Sequence, residues 1–213
     1  MTGAFTKTAL SFCMGLGTIA LKGKQKRPWL SLKRCEVQRT YLRWQSGELR
    51  KAHHGPYDTE VTRLGGETFY EDHLLRFHGE GLWRVYELIY SRDRKQITEK
   101  VLDIAGLDGL AALWIDRGLV LSGRAKRAGV LRPLWSRGEV RLLKDWMDAN
   151  DLPCTFDRYR LLFDYEQMRT LKRRLAPRVH YSMRASLAWV REKPELRLPE
   201  GYDATRRTLH SRA

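Results

Sequence analysis

Two apolar stretches, ALSFCMGLG over residues 9–17 and LAALWIDRG over 110–118, limit what this chain can fold into more than any other feature. Each ends on a glycine and runs into strand-like residues: Thr18, Ile19 and Leu21 after the first, Val120 and Leu121 after the second. Glycine takes the backbone conformation that closes a helix at low cost, so each stretch predicts a buried helix feeding a strand. Recurrence at a spacing of roughly a hundred residues points to an internal duplication. The small residues Ala9, Ser11, Gly15, Ala111 and Ala112 would let two such helices approach closely.

The order of the remaining segments repeats as well. Strands around 18–21 and 28–34 flank the basic turn Lys22, Gly23, Lys24, Gln25, Lys26, Arg27; strands over 119–122 and 129–134 flank Gly123, Arg124, Ala125, Lys126, Arg127. A glycine-containing turn between short strands predicts a hairpin, and a twisted two-stranded ribbon fits the major groove while its lysines neutralise phosphates. Helical spacing follows each hairpin, over 36–50 with Val37, Tyr41, Leu42 and Trp44, and over 136–150, where Ser136 and Glu139 form a capping box. Further strands are expected over 61–64, 73–77, 154–158 and 159–163, with helices over 82–90 and 165–175.

The pattern L-A-x-L-x-x-D-x-G at 110–118 resembles the signature helix of the LAGLIDADG homing endonucleases, in the form that carries a tryptophan. The segments over 82–97 and Val179, His180, Tyr181, Ser182, Met183 resemble the family's connection into the second motif and its closing turn. The resemblance spans roughly residues 5–190. It implies an α/β (α+β) fold of two pseudo-symmetric αββαββα repeats whose antiparallel sheets form a DNA-binding saddle, with repeats over 1–100 and 101–190 and a basic tail over 191–213. It also implies a monomer covering about 20 base pairs, since each half spans about one duplex turn.

In that family two carboxylates, one before each motif glycine, hold the divalent metal ions that activate water and stabilise the leaving oxygen of phosphodiester cleavage. Here those positions are Leu16 and Arg117, a side chain without a donor atom and one that repels cations. Arg117 suits the negative end of a helix dipole and is expected to contact phosphate. Asp116 is the remaining acid of the motifs, about 100° around the helix from the metal position. It is expected to pair with Arg117 or a neighbouring cation, and is the candidate catalytic acid if the register shifts. Asp103 and Asp108 are expected to help start the motif helix.

The reading is therefore a duplex-DNA-binding protein whose cleavage is weak or lost, with no cofactor expected and Mg²⁺ only if cleavage remains. Its groove-lining cations would be Lys22, Lys24, Lys26, Arg27, Lys33 and Arg34, then Arg124, Lys126, Arg127, Arg132, Arg158 and Arg160. The alternatives are an active Mg²⁺-dependent endonuclease and an RNA-binding maturase or ribonucleoprotein component.

Composition agrees with an anionic partner. The net charge is +15, which favours nucleic acid over a membrane surface, because no run reaches the ~20 apolar residues of a spanning helix. Cys13, Cys35 and Cys154 are odd in number and lack metal-ligand spacing, which predicts an intracellular, reducing compartment and not a secreted protein. His53, His54, His73 and His78 have no ligand partner at a recognisable spacing and are expected in loops or at the surface.

Overall fold

The computed structural model describes residues 3–24, 26–64, 72–121 and 128–187. Its first half runs α1 (Ala4–Met14), β1 (Thr18–Lys22), β2 (Arg27–Cys35), α2 (Arg39–Ala52), β3 (Tyr57–Leu64), β4 (Asp72–Gly79) and α3 (Leu82–Ile89). A two-residue ladder, β5 (Tyr90–Ser91) with β6 (Arg94–Lys95), leads to the second half. There the order is α4 (Glu99–Arg117), β7 (Gly118–Val120), β8 (Gly129–Leu131), α5 (Arg137–Ala149), β9 (Thr155–Asp157), β10 (Arg160–Phe163) and α6 (Tyr165–Leu175). The sheets are ordered β1-β2-β4-β3 and β7-β8-β10-β9, so the two halves have the same topology, and every pairing is antiparallel.

The motif helices α1 and α4 pack against each other at the centre. Of the small residues named from the sequence, Gly15 makes a close approach, a Cβ there falling 2.1 Å from Asp116 Oδ2 and 3.1 Å from Ala112 O; Gly109, not named, makes another, where a Cβ would lie 2.4 Å from the Met14 sulfur. Ser11 Oγ donates to Lys7 O at 2.8 Å and also reaches Ala105 O across the interface at 3.4 Å. Trp114 is fully buried, edge-on to Phe163, and its indole N–H donates to Ser186 O at 3.2 Å. The closing segment around residues 181–187 is thereby tied to the second motif.

α4 is interrupted at Gly106, whose backbone (φ 57°, ψ −148°) is essentially confined to glycine. Asp108 lies just after this break and pairs with Lys7 at 2.8 Å and with Arg178 at 3.2 Å, joining α1, the second helical segment and the 3-10 turn Ala176–Arg178. A Cβ on Gly106 would meet nothing within 4 Å, so the cost of Gly106→Ala is backbone strain alone. The expected loss is about 1–3 kcal/mol of unfolding free energy. Equilibrium denaturation with an unchanged m-value would confirm it.

α5 carries the capping box expected from Ser136 and Glu139, and Asp164 with Gln167 forms another at the start of α6. The region after β2 differs slightly from expectation: Glu36–Gln38 is a 3-10 turn, and α2 begins at Arg39. β3 and β4 are longer than the apolar run suggests. Polar residues such as Asp58, Glu60, Arg76 and His78 lie on one face of this hairpin, and Glu60 pairs with Arg76 across it. Two of the histidines expected in loops or at the surface are buried: His53, in the loop after α2, and His73, which lies within β4. His53 sits among Phe5, Tyr57 and Phe77 with its ring nitrogens on Gly55 O and Glu80 O, and the His73 ring is hydrogen-bonded to Glu36. His73 falls on the inward-facing parity of β4 with Leu75 and Phe77, which the period-2 alternation dictates.

Candidate nucleic-acid interface

Strand alternation divides the first sheet into two faces. Leu30, Leu32, Leu75 and Phe77 point to the helices, while Lys22, Arg27, Trp29, Lys33, Arg76 and His78 share the opposite, open face. Trp29 stacks on His78 at 5.2 Å, and His78 Nδ1 is 2.7 Å from Pro28 O, which fixes both rings. Acids are interspersed: Lys33 pairs with Asp72 at 2.6 Å and Arg76 with Glu60 at 3.1 Å. Such exposed pairs are worth little in water, so phosphate oxygens can replace the carboxylates at small cost. Lys24 and Lys26 are exposed in the hairpin turn beside Gly23, whose positive φ of 73° allows the reversal.

The outward face of the second sheet is less basic than the sequence suggests. Leu119, Val130 and Leu162 occupy it in register, Leu119 exposed but Val130 and Leu162 buried. Arg132 and Arg158 are exposed beside Leu134 and Tyr159, and Arg160 donates from Nε and Nη2 to Asp157 at 2.8 and 2.6 Å. Arg124, Lys126 and Arg127 lie outside the described residues.

Arg34 requires a correction, because it does not line this face. Its side chain is 1% exposed and lies between α2 and the end of α4. Leu30, Leu32 and Arg34 share one parity of β2, so the same alternation that buries the leucines turns the guanidinium inward. Its Nη1 lies 2.9 Å from Asp116 Oδ1 as an ion contact, and its Nη2 donates to Asp116 Oδ2 at 3.2 Å. Nε donates to Gln45 Oε1 at 3.2 Å, and the guanidinium carbon lies 5.2 Å from the Tyr41 ring centroid. Gln45 Nε2 is buried with no hydrogen-bond partner among the described residues.

Asp116 is thus held by Arg34 rather than Arg117, and it joins the two halves of the molecule. Its Oδ2 also accepts the Leu16 backbone N–H at 2.7 Å. The carboxylate lies directly over Gly15, where a Cβ would come within 2.1 Å of Oδ2. Only glycine leaves that space. Lys95, from β6, donates to Gly15 O at 3.0 Å and Gly17 O at 3.1 Å, satisfying carbonyls at the negative end of α1. Burial holds the Lys95 ammonium below the ordinary lysine value, Cys13 and Asp116 acting the other way and Arg117 adding to the depression. Burial likewise pushes the Cys13 thiol up to about 11, which leaves it unreactive at neutral pH.

By sequence, the chain matches no protein-family model and no curated protein. By structure it is similar to the homing endonuclease I-WcaI bound to its DNA recognition sequence, with a TM-score of 0.68 and 14% identity over 88% of this chain and 87% of that one. The chain has the homing-endonuclease fold. It is also similar to I-DmoI in complex with DNA and Mn, with a TM-score of 0.50 and 13% identity over 84% of this chain and 99% of that one. The αββαββα duplication and paired motif helices of the sequence reading are those of this fold.

A divalent cation, which the fold implies, does not fit the residues at the helix ends. The positions before the motif glycines hold Leu16 and Arg117, and Lys95 lies beside them. The nearby carboxylate of Asp116 is already engaged by Arg34 and the Leu16 N–H. Among the described residues there is no group of three or more His, Cys, Asp or Glu side chains able to hold a metal ion.

Sequence reasoning missed Trp29, Arg76 and His78 on the open face, Lys95 at the helix ends and the Arg34–Asp116 pair. Parity was the available signal for Arg76 and His78, which alternate with Leu75 and Phe77. Lys95 offered none, since its contacts come from residues about 80 positions away in sequence.

Proposed function

We propose that this protein binds duplex DNA across the open faces of its two sheets and cleaves it weakly or not at all. The observation that carries the reading is the state of Asp116: the acid nearest the helix ends is committed to Arg34 and the Leu16 N–H, while the two flanking positions are apolar and cationic. The similarity to DNA-bound I-WcaI supports the choice of partner. Lys22, Lys24, Lys26, Arg27 and Lys33 supply phosphate contacts from the first half, with Arg76 and the Trp29–His78 stack among them. Arg132, Arg158 and Arg160 do so from the second, together with Arg124, Lys126 and Arg127. Arginines on strands are the better groups for bidentate readout of guanine, and lysines in turns position the backbone. Arg117 meets phosphate where a strand crosses the helix ends.

The test is a randomised duplex library incubated with the protein and Mg²⁺, with bound and cut molecules sequenced separately. Enrichment of bound sequences without cutting is expected. Specific cutting that disappears in Asp116→Asn would instead establish an active endonuclease. In the non-cleaving case, Leu16→Asp with Arg117→Asp supplies the missing acids, and any gain of nicking should depend on divalent cation.

A further inference from the structure

On the side of the first sheet opposite the open face, α2 and the outer edge of the sheet enclose a cavity of about 540 Å³. Arg39, Arg43, Ser46 and Arg50 line it from one stripe of α2, at positions i, i+4, i+7 and i+11 of the helix. Val61 and His73 line the sheet side, on the parity that carries Leu75 rather than Arg76. Three guanidiniums therefore face a recess whose lining holds one acid, Glu36. That acid is shared between His73 and Arg39, the latter at 3.5 Å. Arg50 lies over the Tyr57 ring at 5.9 Å, and Arg43 has no hydrogen-bond or ion-pair partner among the described residues.

Gly47 borders the same recess, and a Cβ there would meet nothing within 4 Å. Glycine inside a helix lowers its stability relative to alanine. Nothing in the packing demands it here, so its consequence is a wider recess beside the arginines.

We propose that this cavity binds the phosphodiester backbone of a nucleic-acid strand other than the duplex on the open face. Guanidinium forks match phosphate oxygens, and Ser46 adds a hydroxyl donor. The lining holds no Phe, Tyr or Trp, and its one aromatic ring, His73, is buried and bonded to Glu36, so the site takes backbone rather than stacked bases. From Arg39 to Arg50 the row spans about 16 Å of helix axis, longer than one phosphate group and suited to consecutive phosphates of one strand. A recess between a helix and a sheet edge admits such a strand, whereas a duplex groove is met by an exposed ribbon. The inference does not depend on duplex binding, because the two surfaces lie on opposite faces of the sheet.

The test measures fluorescence anisotropy of the full chain with labelled single-stranded ribo- and deoxyribo-oligonucleotides, and separately with a labelled duplex, over a salt series. Replacing Arg39, Arg43 and Arg50 together with alanine should weaken single-strand binding at least about tenfold at ~0.1 M salt and reduce its log–log salt slope by about 2. Gly47→Glu, which keeps every arginine and places a carboxylate in the recess, should weaken it in the same direction. Duplex binding should be unchanged in both. Lys22→Ala with Lys33→Ala should do the reverse, and its failure would count against the duplex reading alone. Tighter binding of the ribo strand would support the inference and assign the strand as RNA. Wild-type single-strand affinity in both cavity variants would overturn it. So would equal loss of duplex and single-strand binding, or displacement of the oligonucleotide by polyglutamate as readily as by unlabelled strand.

Discussion

Replacing Asp116 with alanine is expected to lower the unfolding free energy by about 3–5 kcal/mol, because Arg34 would be left charged and buried without its counter-ion. Arg34 and Asp116 side chains are each 1% exposed, so water cannot readily take over the lost contact. The Leu16 N–H would also lose its acceptor, loosening the end of α1 against α4. Arg34→Met combined with Asp116→Leu should recover most of the loss, since apolar residues of similar volume remove both desolvation costs. Gln45, whose Oε1 accepts from Arg34, should limit that recovery. Denaturant midpoints of the single and double variants, with m-values held constant, measure the coupling. An Asp116→Ala protein as stable as wild type would show that the pair does not join the two halves.

The second large effect concerns binding. Replacing Lys22, Lys33, Arg132 and Arg158 together with alanine removes four phosphate-neutralising charges drawn from both sheets. Each contributes about 0.9 to the log–log salt slope on duplex DNA, so the slope should fall in magnitude by about 3.6. At ~0.1 M salt that corresponds to an affinity loss on the order of a thousandfold relative to a 1 M reference. The four side chains are exposed, and among the described residues only Lys33 of the four is ion-paired, with Asp72. Folding stability should therefore change little. Titrations at several salt concentrations separate this outcome from a loss of fold, and an unchanged slope would remove the open faces as the duplex site.

Much of the fold was readable because its signals are local. A helix ending on glycine and running into a strand occurs twice, and the capping box at Ser136 and Glu139 marks the start of α5 where expected. The β3–β4 hairpin was only partly readable, since one of its faces is polar and the apolar run understates its length. The candidate site was less legible than the fold. Arg34 follows a run in which Leu30 and Leu32 alternate inward, so its parity pointed to the core, yet its charge suggested solvent. Parity prevails when a buried charge can find a partner, and here the partner is Asp116, 82 residues away.

The sequence by itself determined the repeated helix–strand junctions, the basic character of the first hairpin and the absence of a carboxylate at positions 16 and 117. Those features depend on residue type and near neighbours alone. Tertiary structure decided which cations face solvent and where the single motif acid points. Packing α1 against α4 brings Gly15 beneath the Asp116 carboxylate and Arg34 beside it, so that a residue suggestive of catalysis becomes the bond between the two halves. Such a contact depends on close approach of segments distant in the chain, and no local pattern encodes it.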